Sequence, residues 1–281
     1  MNSEFTVRPM RPGELELVLE WARQEGWNPG LDDSVAFHDA DPSGFFVGVI
    51  GEVPVASISV VKYGEDFAFL GLFIVHPDFR GRGYGKAIWN AGMMSAEGRS
   101  IGLDGVPAQQ DNYRKAGFEE AYRTVRYGGV ISALPESTLV AHAVSDRLDG
   151  LLRYDAMIFP APRPTFVASW CATRKDRHSA VVRKRGKIRG YGTIRRCYEG
   201  YKIGPLFAGD RDSAAALISV LAQHAKGAKV FIDVPTNNGE AIELAESLGL
   251  APVFETARMY RGTAPVVPLR SIFGVTTLEL G

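Results

Sequence analysis

The feature that most constrains this chain is an internal repeat. Leu103-Asp104 is followed by a helical segment, a glycine and, nine residues after that glycine, Arg126. Ile232-Asp233 opens the same succession in the second half, and it ends at Arg258, nine residues after its own glycine. A shared order of elements is the signature of a duplicated unit. The 281 residues are therefore predicted to form two copies of one fold.

Apolar periodicity predicts the elements of each copy. In the first half, strands are expected at 44–50, 53–63, 67–75, 100–104 and 122–127, with helices at 14–24, 85–96 and 110–115. In the second half, strands are expected at 165–171, 180–185, 188–195, 201–207 and 230–234, with helices at 213–226 and 239–247. This order indicates the α/β class, in its α+β form, with mixed, mostly antiparallel sheets flanked by helices. The predicted domains are 1–135 and 145–281, and part of 131–144 is either the linker or the opening of the second domain.

The strongest chemical signal lies between a predicted strand and a predicted helix. It is the run Arg80-Gly81-Arg82-Gly83-Tyr84-Gly85. Glycines allow successive backbone amides to surround one anion, and the start of the helix adds its dipole, so a pyrophosphate fits there. Arg80, Arg82 and Lys86 add positive charge or simply face solvent. A P-loop is excluded because Ala87, not Ser or Thr, follows Lys86, and the glycine spacing does not fit a dinucleotide fingerprint.

The same stretch resembles the acetyltransferase motif of the GNAT superfamily, in which Arg or Gln, two residues, Gly, one residue and Gly follow a splayed strand. Arg80, Gly83 and Gly85 occupy those positions. Downstream, the run from Asn112 to Phe118 is similar to the family's Asn-containing helix, with a tyrosine four residues before Gly-Phe. The resemblance covers about residues 5 to 130 and points to a bacterial two-domain subgroup whose second half is a degenerate GNAT domain.

The resemblance implies a fold of tandem GNAT-like domains and a site for acetyl-CoA in the first. It places the pyrophosphate on the amides of Gly81 to Gly85 and the pantetheine arm, as an added strand, along the backbone of 73–75. The cofactor-binding residues expected from it are Phe73, Ile74, Val75, Arg80, Gly81, Arg82, Gly83, Tyr84, Gly85, Lys86 and Asn112.

Tyr113 is the candidate general acid, because the resemblance puts it beside the thioester sulfur and a phenol stays protonated at neutral pH. The alternative is a packed tyrosine. Asp104 is the candidate base, although it could equally be a cap or turn acceptor, and Glu65 and Asp66 fit a solvated turn better.

Trp27 and Asn28 follow the first helix, which in the family borders the acceptor pocket, so they are the candidate substrate-binding residues. Packing in the core or in a loop is the alternative for these side chains. In the second half, the counterpart of the glycine turn lies near 207–212, where Asp210 and Asp212 would repel a pyrophosphate. No cofactor is expected there.

Composition limits the classes of partner that this chain is expected to bind. The formal net charge is +0, so neither nucleic acid nor an anionic membrane is expected. The two cysteines, Cys171 and Cys197, are too few for a disulfide framework or a zinc site, and no metal is expected. No stretch is long and apolar enough to span a bilayer, so a cytoplasmic protein is expected.

Together these patterns predict an acetyl-CoA-dependent N-acetyltransferase acting on a primary amine of a small molecule, amino acid or peptide. A non-catalytic acetyl-CoA-binding sensor or interaction module is the alternative. The sequence fixes neither the acceptor nor the oligomeric state.

Overall fold

The structure, a computed structural model, describes residues 4–144 and 148–281. Within these ranges the chain forms thirteen β-strands and eight α-helices. The first half contains β1 Phe5–Pro9, α1 Glu14–Gln24, α2 Asp33–Ala40, β2 Phe45–Ile50, β3 Val53–Tyr63, β4 Phe67–Val75, α3 Tyr84–Ser95, β5 Ser100–Gly105, α4 Gln110–Lys115 and β6 Glu119–Val130. The second contains β7 Ala141–Ala143, α5 Asp149–Asp155, α6 Pro164–Cys171, β8 Arg177–Lys184, β9 Lys187–Arg196, β10 Tyr201–Ala208, α7 Arg211–Leu221, β11 Lys229–Pro235, α8 Gly239–Ser247, β12 Ala251–Arg261 and β13 Ile272–Gly274.

The strands form one continuous mixed sheet. Its order is β1-β2-β3-β4-β5-β12-β6-β11-β10-β9-β8-β7, and β13 pairs with β10. The predicted meander of β2, β3 and β4 is antiparallel, whereas β4 and β5 run parallel. The second half repeats this scheme, since β8, β9 and β10 are antiparallel and β10 runs parallel to β11. The mixed sheet flanked by helices agrees with the fold class predicted from sequence.

The two halves exchange a strand at the middle of the sheet. β12 of the second half lies between β5 and β6, and β6 of the first half lies between β12 and β11. Thr124 stands opposite Thr256, and both precede the repeated arginine by two residues. The strand order therefore places an approximate two-fold axis between β6 and β12. Neither half completes its sheet without the other.

The halves also share one hydrophobic core. α2 packs against α6, and the ring of Phe37 stacks on that of Trp170 with centroids 6.1 Å apart. Beside this contact, the fully buried Asp33 accepts hydrogen bonds from Arg177 and Arg195 of the second half. Burial acts to raise the pKa of Asp33, but the two guanidinium groups outweigh it and lower that pKa. The carboxylate is therefore kept ionised inside the interface between the halves.

One predicted strand is wrong. Residues 165–171 belong to helix α6, which has Pro164 in its first turn and buries Phe166, Val167, Trp170 and Cys171 on one face. A short continuous apolar run does not separate a buried helix from a buried strand, which explains the error. The predicted helix at 213–226 ends as an α-helix at Leu221, and a 3₁₀ turn follows. The elements β1, α2, α5, β7 and β13, each short or without a clear period, were not predicted. The longer strand β12 was noted only as part of the repeat and was not predicted as a strand.

Residues 275–281 form a largely buried tail that contains a turn at 278–280. The tail leaves β13 and passes Gly204 of β10, where a Cβ would overlap the carbonyl oxygen of Thr276. It then reaches Gly71 of β4, where a Cβ would overlap the carbonyl oxygen of Glu279. The hydroxyl of Tyr63 donates to the carbonyl of Leu280 over 3.0 Å. The tail thus links the middle of the second half's sheet to the middle of the first half's.

Candidate active site

The site is built on a cleft where β4 and β5 diverge. The two strands pair from Phe67 opposite Ser100 to Leu70 opposite Leu103, and no further. Immediately beyond, the register of β4 against β3 shifts, and Leu72 takes a φ of 47°. The buried hydroxyl of Ser57 donates to the carbonyl of Leu72 over 2.7 Å and so holds this bulge. From Gly71 onward, β4 pairs with β3 alone, and its other edge faces the cleft.

The glycine-rich turn lies at the start of α3, as predicted. Gly83 is the N-cap residue with a φ of 85°, a backbone conformation that a side chain would strain. Among the described residues no side chain caps the helix, so the amide groups of its first turn are available to an external acceptor. Gly81, Arg82, Gly83 and Lys86 are exposed, whereas the ring of Tyr84 stacks on Phe5 with centroids 4.5 Å apart. This is the geometry of an anion site at a helix N-terminus.

The two arginines of the turn contact protein groups in this structure. Arg80 donates through Nε to the carbonyl of Val75 over 2.9 Å and forms an ion pair with Glu25 at the end of α1. Arg82 donates to the carbonyl of Asp78 and lies over the ring of Phe79. Both side chains lie at the surface next to the turn. Their contact with a phosphate stays a prediction.

A small cavity of about 50 Å³ lies inside the cleft. Both halves line it: β4 and β5 contribute Leu72, Phe73 and Asp104, whereas Phe254, Thr256 and Glu279 come from the second half. A wider channel of about 560 Å³ adjoins it and is lined by Ile74, Val75 and Arg80. Trp27, Phe73, Val106 and Phe254 line both spaces. The cavity and the channel are therefore neighbours that share one wall.

Tyr113 lies in the wall of this cavity. Its ring stacks on Trp89 at 5.7 Å and meets Phe118 edge-on at 6.3 Å, and only 9% of the residue is exposed. Burial raises the pKa of the Tyr113 hydroxyl to about 12. The phenol therefore stays protonated across the neutral range and can donate a proton to a group in the cavity.

Asp104 also lines the cavity, but both of its carboxylate oxygens are engaged. Arg258 of β12 donates to them through Nε over 2.9 Å and through the terminal nitrogen over 2.7 Å. Burial raises the pKa of Asp104, the Arg258 charge opposes this, and the nearby carboxylates of Asp233 and Glu279 add to the rise. The equivalent pair of the second half is Arg126 with Asp233, at 2.6 and 3.0 Å. Each pair joins one half to the other.

Of the two candidate substrate-binding residues, one lies at the cavity. Trp27 lines the cavity and the channel, and its carbonyl oxygen accepts hydrogen bonds from Arg126 and Lys202, each over 3.0 Å. The side chain of Asn28 instead exchanges two hydrogen bonds with the backbone of Glu199, over 2.8 and 2.9 Å. Asn28 therefore fastens the loop after α1 to the β9–β10 turn.

The remaining candidates lie away from the cavity. Asn112 is exposed and donates to the side chain of Gln109 over 2.8 Å. Glu65 and Asp66 are exposed in the β3–β4 turn. This turn lies at the end of β4 where it pairs with β5, and the strands diverge toward the opposite end. Both cysteines are buried, and burial raises the pKa of Cys171 to about 12.

Sequence reasoning missed the second half's share of the site. Arg126, Arg258 and Asp233 were noted as parts of the repeat, but nothing in the pattern placed them at the cavity. Leu278 and Glu279 lie in the tail, a stretch without periodicity, and they reach the cavity only because the tail crosses the molecule. The repeat itself was the available signal, since matched motifs at the ends of two halves are typical of a shared interface.

Comparison with known proteins identifies the family. A model described as the acetyltransferase (GNAT) family matches residues 14–118, and one described as an acetyltransferase (GNAT) domain matches residues 151–274. The holothin acyltransferase of Pseudoalteromonas sp. (strain SANK 73390) is 34% identical over 282 residues, covering 100% of this chain and 96% of that protein. The chain belongs to the GNAT superfamily. It is a two-domain acyltransferase, as the repeat and the glycine turn predicted.

Solved structures agree with the tandem GNAT fold. A candidate acetyltransferase from Pyrococcus horikoshii superposes with a TM-score of 0.82 at 22% identity, over 99% of this chain and 96% of that one. A tandem GNAT protein from the clavulanic acid biosynthesis pathway superposes with a TM-score of 0.64 at 14% identity, over 94% and 100%. In the described parts of this GNAT protein, no helix is long and apolar enough to cross a membrane.

Proposed function

We propose that this GNAT protein transfers an acetyl group from acetyl-CoA to a primary amine of a small molecule, amino acid or peptide. The observation that carries the proposal is the open cleft between β4 and β5, bordered by the uncapped start of α3. In the interior of a sheet, such a divergence leaves backbone groups of β4 without a strand to pair with. A donor with a pyrophosphate and an amide-bearing arm satisfies both features.

The residues present fit this donor. The amides from Gly81 to Gly85 would hold the pyrophosphate, with Arg82 and Lys86 close enough in sequence to add charge. The free edge of Phe73, Ile74 and Val75 would pair with the amides of the arm, and the thioester would then lie in the cavity beside Tyr113. Arg80 now donates to the Val75 carbonyl, so we propose that it turns from β4 toward the phosphates when the donor binds.

Tyr113 would supply a proton to the departing thiolate. A thiol of ordinary pKa leaves without help at a moderate rate, so an acid here contributes about 10²-fold or more. Asp104, the base expected from sequence, already gives both oxygens to Arg258. This arrangement supports a structural role for Asp104, in which it orders the wall of the cavity and joins the halves.

The second domain would complete the acceptor pocket. The 1–135 domain would carry the donor, and the 145–281 domain would add Phe254, Thr256 and the tail to the cavity wall. With Trp27 and Phe73 opposite, these groups favour an apolar or aromatic small molecule. The 34% identical relative is named for acyl transfer to holothin, which supports a small-molecule acceptor over a peptide.

The experiment that tests the proposal measures thiol release from acetyl-CoA over a panel of small aromatic and aliphatic primary amines. Wild type should turn over at least one amine. Gly83→Glu places a negative side chain at a left-handed position in the phosphate turn, so the Kd for CoA should rise by about 100-fold or more. Tyr113→Phe should lower kcat by about 100-fold while the Kd for CoA stays within about threefold.

The outcomes separate the alternatives. Tight CoA binding without turnover of any amine would favour the non-catalytic sensor. Absence of CoA binding by calorimetry would contradict the proposal altogether. Running the same assay with a longer acyl-CoA distinguishes an acetyltransferase from an acyltransferase of wider donor range.

A further inference from the structure

One carboxylate of the cavity has no partner among the described residues. Glu279, in the tail, is 4% exposed and lines the cavity together with Tyr113 and Asp104. Its carboxylate takes part in no hydrogen bond and no ion pair with any residue in 4–144 or 148–281. Buried carboxylates are normally paired, so one that is left free beside a cavity points to a functional use.

The backbone around Glu279 is held firmly even though its side chain is free. The hydroxyl oxygen of Thr277 accepts hydrogen bonds from the amides of Glu279 and Leu280, over 3.2 and 2.9 Å. On the other side, the carbonyl of Glu279 lies against Gly71 of β4, in a space that a Cβ would fill. Gly71 is the first residue of β4 beyond its pairing with β5. The tail therefore brings Glu279 to the strand segment that borders the diverging strands.

The charged groups around Glu279 include one buried cation that could balance its negative charge. Asp104 with Arg258 and Asp233 with Arg126 form two closed ion pairs. Asp33, at the interface between the halves, forms ion pairs with Arg177 and Arg195. Lys202 is the cation that remains: it is buried and donates to the Trp27 carbonyl, and no carboxylate in the described chain lies within ion-pair distance of it. Burial lowers the pKa of Lys202, the Arg126 charge adds to the fall, and Glu279 is the largest influence that opposes it.

Acyl transfer needs a group that accepts a proton from the amine. At neutral pH an alkylamine is mostly protonated, and removing that proton costs about 4 to 5 kcal/mol for a pKa near 10.4. We propose that Glu279 is this proton acceptor. The inference rests on the function proposed above and names the catalytic residue that Asp104 was expected to be.

The step balances with the residues of the cavity. The amine nitrogen attacks the thioester carbonyl carbon, a C–N bond forms, and the C–S bond breaks. The bound ammonium first gives one proton to the Glu279 carboxylate, which releases it to solvent. The proton that nitrogen loses as the C–N bond forms then goes to the same carboxylate, and the sulfur takes the Tyr113 proton. Proton exchange with solvent then returns one proton from Glu279 to Tyr113. One amide and one free thiol are produced, and both side chains regain their starting states.

The test compares Glu279→Gln with wild type and with Glu255→Gln, using acetyl-CoA and the amine that the panel identifies. Gln keeps the size of Glu but accepts no proton, so kcat/KM should fall by about 100-fold or more at neutral pH. Glu255 is an exposed carboxylate of β12 that does not line the cavity, and its variant should keep wild-type activity. The Kd for CoA should stay within about threefold for both variants.

The pH profile and a conservative variant give the decisive readouts. In Glu279→Gln the acid limb of kcat/KM seen in wild type should move to higher pH, because activity then recovers only as rising pH deprotonates the amine. Glu279→Asp should regain part of the rate. The ionisable groups that face Glu279 from neighbouring elements are Asp104, Tyr113, Arg126, Arg195, Lys202 and Asp233, and all are unchanged in these variants.

Three outcomes would overturn the inference. They are a Glu279→Gln rate within about threefold of wild type, an unchanged acid limb, or loss of CoA binding in proportion to activity. Failure of the proposed function is distinguishable, because it would appear in wild type itself as the absence of any amine-dependent thiol release.

Discussion

The two domains have the same order of strands and helices. In the first domain the space beside the diverging strand is an open cleft, whereas in the second domain a segment of the chain itself fills it. Beyond Leu103 the first half has a cleft and an uncapped helix. Beyond Ile232, at the equivalent point, β13 pairs with β10, and the amide of Val275 donates to the carbonyl of Asp233 over 2.9 Å. A segment of the chain itself thus occupies the place where the first half would take an added strand.

The helix that follows the diverging strand shows the same contrast. Asp210 caps α7, and its carboxylate accepts from the amide of Ser213 over 2.8 Å. In the first half the equivalent cap is Gly83, which offers no acceptor. In the second half, therefore, a backbone donor that a phosphate could bind is already satisfied by a side chain of the protein. This contrast supports the expectation that acetyl-CoA binds in the first domain alone.

The largest expected effect comes from breaking the two ion pairs that the halves share. Arg258→Met and Arg126→Met each leave a buried carboxylate without its partner, so each should lower the free energy of unfolding by about 3–5 kcal/mol. Arg123→Met, an exposed arginine of the same strand as Arg126, should cost less than about 1 kcal/mol. Urea denaturation measures all three. A large loss in one pair and none in the other would show that the repeat is not energetically symmetric.

Ligand binding should stabilise the protein by an intermediate amount. Acetyl-CoA at about 100 times its Kd should raise the free energy of unfolding by about 2.7 kcal/mol, provided that it binds the folded state alone. In Gly83→Glu, whose Kd should be about 100-fold higher or more, this gain should fall to about 0.4 kcal/mol or less at the same concentration. Thermal unfolding monitored across a titration of acetyl-CoA provides the measurement, and calorimetric stoichiometry counts the sites. Two bound molecules per chain would contradict the contrast between the domains.

The smallest expected effect concerns the cap of α7. Asp210→Ala removes the side-chain acceptor and should cost about 1 kcal/mol of stability, whereas Asp210→Asn should cost almost nothing because Asn caps equally well. Neither variant should change the Kd for CoA. Chemical denaturation and calorimetry together check this prediction, and tighter CoA binding in Asp210→Ala would mean that the second domain retains a latent site.

The limits of sequence reasoning can be traced to particular residues. The bounds of α1, β3, β4, α4 and α8 are confirmed to the residue, because each has strong periodicity or a clear glycine boundary. The glycine turn at 81–85 is confirmed at the start of α3, because its conformation depends on local backbone freedom. The strand predicted at 165–171 is wrong because its apolar run has no distinguishing period. The role given to Asp104 stays a prediction, and its ion pair with Arg258 counts against it.

The sequence by itself determined the GNAT family, the duplication and the position of the glycine-rich turn, since these follow from short motifs whose chemistry is local. The tertiary structure decided how the halves join. Strand exchange between β6 and β12, the pairing of Asp104 with Arg258, and the arrival of Glu279 beside Gly71 all unite residues more than a hundred positions apart. Such contacts depend on burial and sheet pairing between distant segments, and local pattern carries no record of them.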